Sequence, residues 1–283
     1  MTTKQAIILL YGLGCSGKSF ALATLFKLKN KRPNQRVIVL ATEKNSLAGL
    51  ERGLNHYNIT LEAGQLIYAI IRPTQKKAFS AELFALKKFA KDSVSAAQST
   101  SKDSNANKDK YTYFIDIVGG LVDFEGIDYV TKEIVKLGNI SELGEEDILV
   151  IDGLSPIIHG IWCLLQGDRK VNQVGDYQVV QKQIKDFTYE LVNNIPCSLI
   201  MLAHADRVFD DIEKMEKIRV ALDAGVALSG KYIGAYSDVI YAYKTNANKF
   251  VWAGHKMNVE TAARNFPAKD NLEPDFSLYE FFK

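Results

Sequence analysis

A chain of 283 residues, 47% of them apolar and 24% charged, can bury one large α/β core or two small ones. Its net charge of +2 excludes a broadly basic surface, so any nucleic-acid contact has to come from local patches. Cys15, Cys163 and Cys197 show neither a zinc spacing nor a disulfide framework, and no apolar run approaches the ~20 residues of a membrane span. No signal peptide is visible, so a cytoplasmic location away from membranes is the expectation.

Residues 5–11 read as a first strand, carried by Ala6-Ile7-Ile8-Leu9-Leu10-Tyr11. Directly behind stands Gly12-Leu13-Gly14-Cys15-Ser16-Gly17-Lys18-Ser19, the Walker A pattern G-x-x-x-x-G-K-[ST] of a P-loop. Its glycines let the backbone curl so that N–H groups point inward around a phosphate chain. Lys18 supplies a point charge to the outer phosphates, Ser19 offers a hydroxyl to Mg2+, and a helix predicted over 18–29 adds its N-terminal dipole. A nucleoside triphosphate with Mg2+ is therefore the expected ligand, held by Gly12, Gly14, Cys15, Ser16, Gly17, Lys18, Ser19 and Phe20.

A second buried strand is predicted at 36–41, a helix at 46–54, a strand at 65–71 and a helix at 78–91. Alternation of this kind belongs to a parallel sheet with crossover helices. Residues 92–110 then turn rich in Ser, Asn, Asp, Lys and Ala and can bury little, which suits a mobile insertion or a poorly packed helix extension. Strand character resumes at 111–118, a helix is predicted over 127–137, and Asp147-Ile148-Leu149-Val150-Ile151-Asp152 is the sharpest later strand. An amphipathic helix over 179–192 leads into a central strand at 198–203, and 239–244 with 250–253 look like closing strands joined across Asn246-Ala247-Asn248.

Four apolar residues ending in Asp152 fit a Walker B strand, whose carboxylate would emerge beside the P-loop and help hold Mg2+. Many P-loop ATPases carry a glutamate at the next position, but here it is Gly153. The search for a group that orients attacking water moves to Glu43, just past the second strand, which can equally be a solvated loop carboxylate. His204 ends the 198–203 strand, where it would sense the γ-phosphate or serve as an ordinary hydrogen-bonded strand-end histidine. Two segments can face a polymer: 166–173 with Arg169 and Lys170, and 206–228 with Arg207, Lys214, Lys217 and Arg219. Carboxylates are interleaved in both, and 210–219 also suits a solvated helix face.

This order of parts resembles the RecA-type ATPase core. It is more closely similar to the compact RecA-like, AAA-type nucleotide-binding proteins of bacteriophages, a group that includes single-strand annealing proteins of the Sak-four type. The segments that carry the likeness are 11–19, 150–156, 201–207, Leu228-Ser229-Gly230-Lys231 and Tyr236-Ser237-Asp238-Val239, spread over roughly residues 4–267. The resemblance implies an α/β fold with a mainly parallel central sheet flanked by helices and a C-terminal β-hairpin or antiparallel extension. It implies ATP hydrolysis coupled to single-stranded DNA binding, with annealing or strand exchange in DNA recombination. Lys18, Glu43, Asp152 and His204 would be the catalytic set, Ser19 and Asp152 the Mg2+ ligands, and Lys231 would reach a neighbouring subunit's nucleotide. Arg169, Lys170, Arg207, Lys214, Lys217 and Arg219 would face DNA, and Arg264 matches a basic position near the end of the phage proteins. The implied partners are further copies in a ring or filament and a single-strand-binding or other replication protein, in the host cytoplasm. Residues 1–267 would form the ATPase domain and 268–283 an aromatic tail that packs on its own domain or docks on a neighbour. A P-loop small-molecule kinase and a nucleotide-gated scaffold with slow hydrolysis are the alternatives.

Overall fold

In β1 (Ile7–Gly12) every residue is buried, Ile7, Leu9 and Tyr11 into one layer and Ile8 and Leu10 into the other. A continuous apolar run is what a parallel strand covered on both faces requires. The computed structural model describes residues 5–28, 34–41, 46–70, 124–155, 157–158, 162, 174–221 and 232–279. Parallel neighbours of the same kind are β2 (Val37–Ala41), β3 (Leu66–Ile70), β6 (Ile148–Asp152), β7 (Ser198–Asp210) and β9 (Asp238–Lys244). The remaining strands are antiparallel: β4 (Phe124–Asp128), β5 (Ile134–Gly138), β8 (Met215–Val220), β10 (Phe250–Ala253) and β11 (Ala262–Ala263). The order is β10-β9-β1-β7-β6-β2-β3-β4-β5, with β11 on β9 and β8 on β7. The α/β fold with a mainly parallel sheet and a C-terminal hairpin, expected from the sequence, is the fold observed.

Helix α1 (Lys18–Ala21), the 3-10 run Leu22–Leu28 behind it and α2 (Ser46–His56) cover one face, packing Leu22, Leu25, Leu50 and Leu54 on Ile8, Leu10 and Val39. On the other face α3 (Val174–Asn194) lays Val180, Ile184, Phe187 and Leu191 against Leu199 and Met201. Each such fully buried aliphatic side chain contributes about 1.5–3 kcal/mol. Residues 275–279 pack on their own chain: Phe276 meets Trp252 edge-on at 4.8 Å and Tyr279 stacks on Phe266 at 5.1 Å. Among the described residues no helix is long and apolar enough to cross a membrane.

Three expectations are corrected. The helix predicted over 127–137 is the β4–β5 hairpin, because the buried Asp128 carboxylate accepts the N–H groups of Val130 and Thr131 and turns the chain there. The helix predicted over 18–29 is α only to Ala21 and continues as a 3-10 run over Leu22–Leu28. Over residues 206–220 of the segment expected to face a polymer, the loop is replaced by a two-stranded ribbon, since β7 runs on to Asp210 and β8 returns beside it, and residues 222–228 lie outside the described residues. The solvated helix face proposed for 210–219 is thus the ribbon's turn and return strand. The segments 78–91, 92–110 and 111–118 lie outside the described residues.

Candidate functional site

Strand register brings the chemistry to one edge. Gly12 at the end of β1 pairs with His204 on β7, Asp152 at the end of β6 pairs with Leu202, and Ala41 at the end of β2 pairs with Asp152. Parallel strands all present their carboxyl ends on that side, where α/β sheets take ligands. The Ser19 hydroxyl donates to Asp152 Oδ2 at 3.0 Å across 133 positions of sequence. Walker A and Walker B residues therefore meet.

The loop itself is tightly built. A β-carbon on Gly12 would lie 2.1 Å from the Ala242 carbonyl oxygen, so only glycine lets β1 pass that close to β9. Gly17 has φ of 85°, and a β-carbon there would also lie 3.0 Å from the Phe250 ring. Cys15, exposed and unbridged, adopts φ of 58°, a left-handed turn position uncommon for a side-chain-bearing residue. Lys18 Nζ donates to the carbonyls of Gly12 at 2.9 Å and Leu13 at 3.1 Å, holding its ammonium over the loop. Asp152 and Ser16 are buried, while Gly14, Cys15, Lys18, Ser19 and Phe20 keep solvent access.

Phe250 was not singled out by sequence reasoning. Phe20 lies 6.1 Å from Phe250, 5.4 Å from His56 and 5.7 Å from Tyr57, so an aromatic shelf borders Gly17. Lys244 Nζ stands 5.6 Å from the centre of the Phe250 ring. The available signal was positional: Phe250 opens a closing strand two residues before the buried Trp252, on the face that also carries α1.

His204 is half-buried beside the loop, and its carbonyl accepts Ala221 N–H at 2.8 Å, which ties the base of the ribbon to the site. Along the ribbon the basic side chains are paired. Lys217 bridges Asp210 at 2.8 Å and Glu213 at 2.7 Å, Arg219 lies 3.9 Å from Asp210, and Arg207 is 3.7 Å from Glu216. The Lys217 hydrogen bond holds the Asp210 carboxyl down to about 2. Lys214, at the turn with φ of 53°, has no ion pair among the described residues. Phe209 and Ile212 stand exposed at the tip. Glu43, Arg169, Lys170 and Lys231 lie outside the described residues. Arg264 is brought not to this edge but beside the start of β9, where its backbone N–H bonds Asp238 at 2.9 Å.

No family model and no curated protein matches the chain. Among solved structures it is similar to a KaiC-like protein of the hyperthermophilic archaeon Pyrococcus horikoshii. That likeness has 14% identity and a TM-score of 0.38, over 93% of this chain and 82% of the other. At that level it identifies neither a family nor an activity, and the fold rests on the strand order and the P-loop.

Proposed function

We propose that this chain is a RecA-like ATPase that binds ATP at the P-loop and couples its state to single-stranded DNA, promoting annealing or strand exchange. The observation that carries the nucleotide reading is the Ser19–Asp152 contact at 3.0 Å beside a glycine-built loop. Two hard oxygen donors from different elements, with the loop N–H groups alongside, fit Mg2+ and a triphosphate. When bound, Mg2+ would neutralise charge on the outer phosphates, with Ser19 and Asp152 as its protein ligands. Lys18 would release its loop carbonyls and turn its ammonium to the same oxygens. Glu43, two positions beyond β2, remains the residue proposed to orient water, and His204 the one proposed to sense the γ-phosphate.

The DNA half of the reading is supported by connectivity more than by charge. His204 lies on β7, and the same strand runs without a break into the ribbon, so a change at the nucleotide has a short mechanical route to the tip. With its arginines and Lys217 paired to carboxylates, the ribbon offers Phe209 for stacking and Lys214 for phosphate. The exposed Phe209 and Ile212 also favour a second reading, a nucleotide-gated scaffold that hydrolyses slowly and docks a protein. ATP turnover with and without single-stranded DNA, at low and moderate salt, separates the two. Stimulation that fades as salt rises supports the ATPase coupled to DNA. Turnover indifferent to DNA, with no DNA binding, supports the scaffold.

A further inference from the structure

The second half of the P-loop helix has an unusual geometry. Leu22–Leu28 forms a seven-residue 3-10 run directly behind a four-residue α1. Runs of that kind beyond three or four residues are uncommon and mark strain or a hinge. Local preference does not ask for it, since Leu22, Ala23, Leu25, Lys27 and Leu28 are all good α formers. The cause has to be tertiary.

Residues 275–279 supply it. Thr24, fully buried, donates its hydroxyl to the Ala21 carbonyl at 2.8 Å and accepts the Phe276 N–H at 2.8 Å. That hydroxyl competes for the carbonyl which an α-helix would give to the Leu25 N–H. One turn on, Lys27 bonds Asp275 at 3.0 Å while lying 4.0 Å from the centre of the Tyr57 ring. Phe276 and Tyr279, both fully buried, anchor the segment against Trp252 and Phe266. The latch therefore grips the helix at Thr24 and Lys27, one turn behind the phosphate-binding residues.

We infer that residues 275–279 form a clamp that holds the P-loop helix in its 3-10 form and lowers nucleotide affinity, and that bound nucleotide and the docked clamp oppose each other. This rests on the nucleotide reading above. A 3-10 run rises about 2.0 Å per residue against 1.5 Å in an α-helix, so rewinding the seven residues shortens it by roughly 3–4 Å. Rewinding on that scale carries Thr24 and Lys27 away from Phe276 and Asp275, so the α form and the docked clamp exclude each other. Coupling of this kind is reciprocal: whatever loosens the clamp tightens nucleotide binding by the same factor.

Hydrogen exchange of the full chain with and without saturating Mg-ATP tests it directly. The expected result is slower exchange at residues 25–28 and faster exchange at 275–279 when ATP is bound. A double variant, Thr24→Val with Asp275→Asn, removes the polar latches while keeping the aromatic anchors, and should bind ATP about fivefold tighter or more. ATP binding that leaves both segments unchanged in exchange, or equal affinity in the variant, overturns the clamp alone. Failure of the unmodified chain to bind ATP overturns the nucleotide reading and the clamp together.

Discussion

Gly17 and Phe250, from opposite ends of the chain, meet so closely that a β-carbon on the glycine would lie 3.0 Å from the aromatic ring. The contact sets a flat apolar surface beside the phosphate loop, with Lys244 near the ring and Phe20 behind it. A purine or pyrimidine base carried by a triphosphate in that loop would find a stacking partner. Phe250→Ala should then weaken ATP binding by about 1–3 kcal/mol, the usual worth of base–aromatic stacking. Inorganic triphosphate, which has no base, should bind the variant as it binds the parent. Calorimetry with both ligands checks this, and an equal loss for the two would remove Phe250 from base recognition.

The hydrogen bonds that Lys18 donates to the Gly12 and Leu13 carbonyls lie within its own loop. Lys18→Ala should therefore abolish ATP turnover while moving the melting temperature by no more than a few degrees. The comparison needs turnover and thermal melting on the same preparation. Undiminished turnover would end the assignment of this loop as the phosphate site.

The ribbon makes the DNA proposal more selective than the sequence did. Four basic residues looked equivalent there, but Arg207, Lys217 and Arg219 each face a carboxylate, and Lys214 does not among the described residues. Lys217→Ala should change single-stranded DNA affinity less than about twofold, because a charge already paired releases few counterions. Lys214→Ala should reduce it several-fold and flatten its salt dependence, and Phe209→Ala should reduce it without changing the salt slope. Binding measured at several salt concentrations separates these outcomes. Equal losses for Lys214 and Lys217 would return the ribbon to a simple electrostatic surface.

What was legible in the sequence were the buried strands and the loop between them. Continuous apolar runs such as 7–11 and 148–151 have one solution in a sheet covered on both faces, and the glycine spacing of the loop serves one ligand chemistry. Less legible was anything decided by a single side chain acting at a distance. Apolar residues at 127, 130, 134, 135 and 137 suit a helix until Asp128 takes the turn N–H groups for itself. Thr24 likewise looks helical until Phe276, 252 positions later, donates to its hydroxyl. The ribbon was hidden by its charges, which mask the alternation of half-buried Val208 with exposed Arg207 and Phe209.

Asp128 also carries a pH dependence whose sign can be fixed. Its carboxylate accepts N–H groups from Val130 and Thr131 at 2.8 Å each and from Gly64, joining the β4–β5 turn to the loop before β3. Burial pushes its pKa up, but the hydrogen bonds from Thr131, Gly64 and Val130 outweigh this and hold it below the usual carboxylate range. A folded value below the unfolded one means the stabilisation is complete above the ordinary pKa of about 4 and is lost as pH falls through the folded value. Asp128→Asn keeps one carbonyl oxygen for Val130 and Thr131 but turns an amide N–H toward the Gly64 N–H. The variant should be less stable by about 1–3 kcal/mol at pH 7, the cost of a buried donor left unpaired. Denaturant melts of both chains from pH 7 down to pH 3 should show the gap narrowing in acid, as the parent's carboxylate takes up its proton. A gap that stays constant across that range would mean that the negative charge contributes nothing and that the turn is held by shape alone.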